Sequence, residues 1–338
     1  MEPSGSGTQR GEGAAPTKRA QRSSRWLWPL AGVAVALVLG GWLWLGGSRP
    51  RLIFGRSFSG VESARIQAIK AVTAKLSLLH FPLRKPGPHD WLANHKEAGQ
   101  TFDEYLGCGP VILEAPRRVI YVQPLGEFTP TQRRIVNLTA EFMAAYFNTP
   151  VSVREDLPLS LVPPKYCRAA RGFGPQVHAG CILEDILKPR LPQEAAAYIA
   201  FTAADLYPAD DWNFVFGEAS LSERVGVWSL ARYGDPEKGP AEFRLCLLRT
   251  IKVATHETGH MFSMQHCILY ACNMNGSNHL READEAPLAL CPECLAKLCW
   301  ATGAKPGEHF KKLAKFCHEQ GLADEAEFYH RSLTALER

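Results

Sequence analysis

The chain has 338 residues, 46% of them apolar and 21% charged, which describes a globular protein with a sizeable core rather than a disordered one. Its net charge is only +4, and five of the basic residues (Arg10, Lys18, Arg19, Arg22, Arg25) precede a single apolar run. The chain beyond that run is nearly neutral, so a nucleic-acid partner has no electrostatic support.

Residues 1–25 are rich in Gly, Ser, Thr and charge and predict a disordered basic tail. Residues 26–47, WLWPLAGVAVALVLGGWLWLGG, carry no charge, and tryptophans mark both ends. That length and pattern predict a single membrane span with a cytoplasmic N-terminus and the rest of the chain on the opposite side. A cleaved signal peptide is the alternative, because Gly46, Gly47 and Ser48 are small, but its apolar core would be shorter, roughly 7–15 residues. Residues 48–115 form a linker and N-terminal extension. Residues 60–83 show helical spacing of apolar side chains, and 89–106 are polar and mixed, a loop with a short helix.

From residue 116 strands and helices alternate. VIYVQP at 119–124 predicts a strand, and 129–147 a helix capped by Thr129 with Pro130 in its first turn. Short strands are expected at 151–153, 197–202, 213–217 and 225–233, a loop at 163–175, and a helix at 176–187. Residues 243–264 predict a further helix. This alternation indicates an α/β sheet with helices packed on it. In 305–338, two helical runs separated by Gly321 predict a helical hairpin; with no second copy of the pattern, a solenoid of repeats is not indicated.

The helix at 243–264 carries THETGHMFSMQHCILYACNM, residues 255–274. His256, Glu257 and His260 form H-E-x-x-H. Residues four apart share a helical face, so both imidazoles can reach one metal ion, and Glu257 can reach a water that the metal activates. His266 stands ten residues after His256. Three neutral imidazoles leave the fourth position of a zinc ion open, as a catalytic site requires. Scattered histidines on an ordinary core helix are the plain alternative, and the third histidine at this spacing argues against it. Cys267 and Cys272 form C-x4-C, and Cys291 and Cys294 form C-x2-C. Paired thiolates at these spacings suit a closed, structural zinc site, with disulfides or buried free thiols as alternatives.

These residues together resemble the archaemetzincins, a family within the metzincin clan of zinc peptidases. The resemblance rests on H-E-x-x-H-x-x-S-x-x-H followed at once by Cys267, then C-x-M (Cys272, Asn273, Met274), then C-P-x-C at 291–294. It extends to LYPADDWNFVFGEASLSERVGVWSLARYG at 206–234 and NGSNHLREADEAPLALCPECLAKL at 275–298. It is weaker over DWLANHKEAGQTFDEYL at 90–106, so it spans roughly residues 90–303. It implies a metzincin-like twisted sheet with a backing helix and an active-site helix, in a catalytic subdomain over 116–266. A small C-terminal subdomain over 267–304 would be held by zinc on the four cysteines. Met274 would form the apolar floor beneath the catalytic zinc, and 225–233 would be the edge strand lining the cleft. Where the clan carries a turn-forming glycine, this chain has Ser263. The function implied is a zinc metallopeptidase with two zinc ions, one catalytic and one structural, acting on peptide or protein substrates with Glu257 as general base. The alternative is a zinc-dependent peptide-binding protein with weak turnover, which has no need of Glu257.

Overall fold

The computed structural model describes residues 57–170, 172–220 and 223–338. In chain order its strands are β1 (Val119–Leu125), β2 (Val151–Val153), β3 (Cys167–Ala170), β4 (Gly174–His178), β5 (Ala195–Thr202), β6 (Asp205–Tyr207), β7 (Gly217–Ser220) and β8 (Val225–Ser229). Four helices matter before the cysteine-rich region: α1 (Gly60–Ala74), α2 (Trp91–Asn94), α3 (Phe102–Gly107) and α4 (Pro130–Tyr146). After them come the single turn α5 (Ala179–Cys181), the long α6 (Pro240–Met261), α7 (Leu280–Glu285), α8 (Pro292–Thr302), α9 (Pro306–Glu319) and α10 (Ala323–Glu337).

The central sheet has the order β2-β1-β5-β8-β7. Its first four strands run parallel, and β7 pairs antiparallel with β8. Every residue of β5 is buried, as its unbroken AAAYIAFT run requires of a parallel strand covered on both faces. Alternate side chains divide between two cores. Ile199 and Phe201 face one shared with Ile251 and Ala254 of α6 and with Phe142 of α4. Tyr198 and Ala200 face another, built with Val177 of β4 and with Ile182 and Ile186 of the segment after α5. The sheet is thus sandwiched, and α6 crosses one face with its C-terminal turn carrying H-E-x-x-H. This is the α/β class that the alternation of elements indicates.

Local signals set the helix starts. Thr129 accepts from Gln132 N and the Gln132 side chain reaches back to Thr129 N, a capping box ahead of Pro130. Ser59 and Thr101 cap α1 and α3 in the same way.

Several expectations are corrected. The 225–233 stretch is not an edge: β8 lies inside the sheet, and the edge is β7, because the chain after 213–216 turns back and pairs antiparallel outside β8. The loop at 163–175 contains β3, which pairs with β4 and, through it, with β6 in a second, three-stranded sheet. The helix expected from 176 begins only at Ala179, since Gln176–His178 are drawn into strand pairing with Asp205–Tyr207. The membrane localisation is also corrected: among the described residues no helix is long and apolar enough to cross a membrane. The 26–47 run on which that expectation stood lies outside the described residues.

Candidate metal centres

His256 and His260 stand one turn apart on α6, and His266 returns to them after the helix ends at Met261. All three are buried, and their ligand atoms lie within 4.8 Å of one another. Each Nδ1 faces an oxygen that can only accept: Asn273 O at 2.7 Å from His256, Met264 O at 2.6 Å from His260, and Glu97 Oε1 at 2.7 Å from His266. Each Nδ1 therefore carries its ring's proton, which leaves every Nε2 with a bare lone pair. Those lone pairs converge. His256 Nε2 and His260 Nε2 are 3.0 Å apart, and His266 Nε2 is buried with no hydrogen-bond partner. Three converging lone pairs with no proton among them fit a cation, and three neutral imidazoles with an open side suit zinc. Burial holds His256 at about 3 and drives His260 well below the usual imidazole range, so neither ring competes for the site as a charged imidazolium.

The turn that returns His266 is made by Ser263 with φ +65°, the left-handed backbone that a glycine would adopt without strain. Its neighbours hold it there. Ser263 Oγ accepts from Val111 N at 3.1 Å, Gln100 Nε2 donates to Ser263 O at 3.3 Å, and Tyr105 Oη donates to Phe262 O at 2.9 Å. Met274 is buried against the helix beneath the histidines. A Cβ on Gly259 would stand 2.8 Å from Met274 Sδ, so the sulfur approaches the helix backbone closely only because that position is glycine.

Glu257 is buried beside His256, and burial raises its carboxyl to about 8. Both residues border an open pocket whose apolar lining includes Phe216, Tyr233, Val253 and Leu280. One wall is anchored to α6 by polar contacts. Arg249 makes a bidentate pair with Asp284 at 2.8 and 2.6 Å and donates to Tyr233 O at 2.7 Å. Lys252 Nζ donates to the carbonyls of Ala283, Asp284 and Ala286.

The second cluster adjoins the first. Cys267, Cys272, Cys291 and Cys294 are all buried, with sulfurs within 4.8 Å of one another. Cys267 and Cys272 sit in a knuckle closed by Cys267 N donating to Met274 O at 2.7 Å. Asn275 braces it, accepting from Cys272 N at 2.7 Å and donating to Cys267 O at 2.7 Å. Cys291 is the N-cap residue of α8 and Cys294 lies in its first turn. Hydrogen bonds from Cys272, Cys291 and Cys294 pull the Cys267 thiol far down, while burial raises Cys272. The structure holds all ten cysteines as free thiols.

Sequence reasoning placed the histidines and cysteines but missed Glu97, Gln100 and the pocket lining. The only signal for the first two was the weak similarity over 90–106.

Residues 195–299 match Peptidase family M54. Over 275 residues the chain is 36% identical to Archaemetzincin-2 of Homo sapiens, covering 72% of this chain and 76% of that protein. It is 31% identical over 258 residues to Archaemetzincin-1 of Homo sapiens, covering 66% of this chain and 51% of that protein. Among solved structures, the archaemetzincin of Methanopyrus kandleri shares 27% identity at a TM-score of 0.44, over 56% of this chain and 98% of that one. With more than a third of its residues shared over three quarters of such a relative, the chain belongs to the archaemetzincin family and is a zinc metallopeptidase.

Proposed function

We propose that His256, His260 and His266 hold the catalytic zinc, that Cys267, Cys272, Cys291 and Cys294 hold a second, structural zinc, and that Glu257 is the general base of peptide-bond hydrolysis. The observation that carries this reading is the set of three Nε2 lone pairs converging next to a buried carboxylate at the mouth of a pocket. A zinc ion held there would supply Lewis acidity, acidifying a water and polarising a peptide carbonyl.

The chain's own residues do the rest. Glu257 takes a proton from the attacking water and passes it to the leaving amine nitrogen. Burial suits it to that role, because a carboxyl raised well above its usual range is a stronger base, and a nearby cation would bring it back toward ionisation at neutral pH. Met274 packs beneath the ligands and supports their floor. The pocket borders Phe216 and Gly217, at the start of the edge strand β7, so an extended peptide can pair with that edge while one of its side chains enters the pocket.

The rival reading is a peptide binder with weak turnover, which Ser263 in place of glycine and the dense cysteine cluster would both permit. Ser263 nonetheless adopts the left-handed turn, which favours the hydrolase. Glu257→Gln separates the two: peptide cleavage falls by several orders of magnitude while zinc content stays as in wild type. Wild-type turnover in Glu257→Gln would overturn the assigned mechanism.

A further inference from the structure

The three histidines are not held alike. The Nδ1 atoms of His256 and His260 are held by backbone carbonyls close in sequence, of Asn273 and Met264. These come with the helix and the turn. His266 lies off the helix, and its Nδ1 meets only a side chain 169 positions away, Glu97. That carboxylate belongs to a strap, residues 90–100, which lies against the far side of the site and is tied down along its length. At its start, Trp91 N donates to Glu282 Oε1 at 2.8 Å. The Trp91 ring sits edge-on to His266 at 5.1 Å and fills the space a side chain at Gly276 would need. Gly99, at φ +69°, lies so close to Ile268 that a Cβ would stand 2.5 Å from it. At its end, Gln100 Oε1 accepts from Gln265 N at 3.2 Å, and the fully buried Lys297 donates to Gln100 O. The strap therefore grips the chain on both sides of His266, from Ser263 to Ile268, and places one carboxylate on the ring.

We infer that Glu97 is a positioning residue of the metal centre: by accepting the Nδ1 proton of His266 it sets that ring's tautomer and aims Nε2 at the other two histidines, which makes the 90–100 strap part of the site. This rests on the three-histidine reading above. A carboxylate partner also makes the ring a stronger donor, because its charge stabilises the cation that the ring binds. Residues 90–100 lie outside the 195–299 family match, so a chain cut to that match would lose this support.

The test uses the full chain. Zinc affinity is measured by chelator competition for wild type, Glu97→Ala, Glu97→Gln and His260→Ala, with His256→Ala as the baseline for zinc held at the cysteine cluster alone. Melting temperatures and imidazole nitrogen shifts are recorded on proteins that keep zinc at the cysteine cluster and are stripped of it at the histidines. Glu97→Ala should weaken zinc binding at the histidines about 10–100-fold. Glu97→Gln, whose amide oxygen still accepts from Nδ1, should recover much of that loss. His266 should read as the Nδ1-protonated tautomer in wild type and as a mixture in Glu97→Ala, with melting temperatures alike. Wild-type affinity in Glu97→Ala overturns the inference. So does an equal loss in both Glu97 variants accompanied by lowered melting temperatures, which would mean the strap only packs. Wild-type zinc affinity in His260→Ala would instead sink the three-histidine reading, and this inference with it.

Discussion

The histidine and cysteine clusters share a chain segment but are built in opposite ways. The histidines take two ligand positions from one face of a long helix, a third from a strained turn, and the orientation of that third from a strap far away in sequence. One side of the cluster opens on a pocket. The cysteines come from a tight knuckle and a helix start, four sulfurs closed on all sides. An open donor set supported from a distance suits chemistry, because a position stays free for a reacting molecule. A closed set built from short local pieces suits cross-linking, because it ties the knuckle to the start of α8. Cys267 follows His266 directly, so whatever fixes the knuckle also fixes the approach of the third imidazole.

This contrast can be broken at several points. The largest effect is expected from Cys291→Ser. Structural zinc sites contribute on the order of 10 kcal/mol, comparable to the whole stability of a domain. The variant should bind less than about one zinc and lose its cooperative melt, whereas His256→Ala should keep about one zinc and stay folded. Metal analysis with calorimetry decides this, and a folded Cys291→Ser protein with two zinc ions would erase the distinction between the clusters.

A smaller effect supplies the acid background against which metal release from either cluster must be read. His309 on α9 is buried against Tyr146, and burial holds its imidazole at about 4. Its pKa is depressed on folding, so the folded state loses stability to the unfolded one as pH falls from about 6.5 through about 4. The loss should reach on the order of 3 kcal/mol by the lower end. Urea unfolding at saturating zinc, run in parallel on wild type and His309→Phe across that window, should show a shallower fall in the variant. An unchanged slope would place the acid sensitivity elsewhere.

The smallest effect is expected from Ser263→Gly. Glycine relieves about 1–2 kcal/mol of left-handed strain, and the lost hydroxyl leaves Val111 N without its acceptor, about 1 kcal/mol in the other direction. Stability should shift by less than about 1 kcal/mol, with zinc affinity unchanged. A loss above about 2 kcal/mol would show that the hydroxyl, rather than the backbone, holds the turn.

Much of this molecule is legible in short stretches of sequence. H-E-x-x-H states its own geometry because a helix repeats every 3.6 residues, and C-x4-C with C-x2-C states a compact cluster because a few residues of chain can reach no farther. The α/β class follows from alternating runs, and the capping box at Thr129 from its own four residues. The position of a strand within its sheet does not follow: VGVWS is apolar enough for any place, and only pairing with β5 on one side and β7 on the other puts it inside. The second sheet was missed because Cys167–Ala170 is four residues long and part exposed, without β-branched or aromatic side chains, and its pairing exists only once β4 lies beside it. Glu97 was invisible for the same reason in its strongest form. By itself the sequence determined which side chains could act as donors and which of them a helix or a short loop must bring together, since local geometry has few solutions. Which oxygen holds each imidazole proton, which strand forms the rim and where the strap lies were decided only by the tertiary structure, because those contacts join residues up to 197 positions apart, and no local period records them.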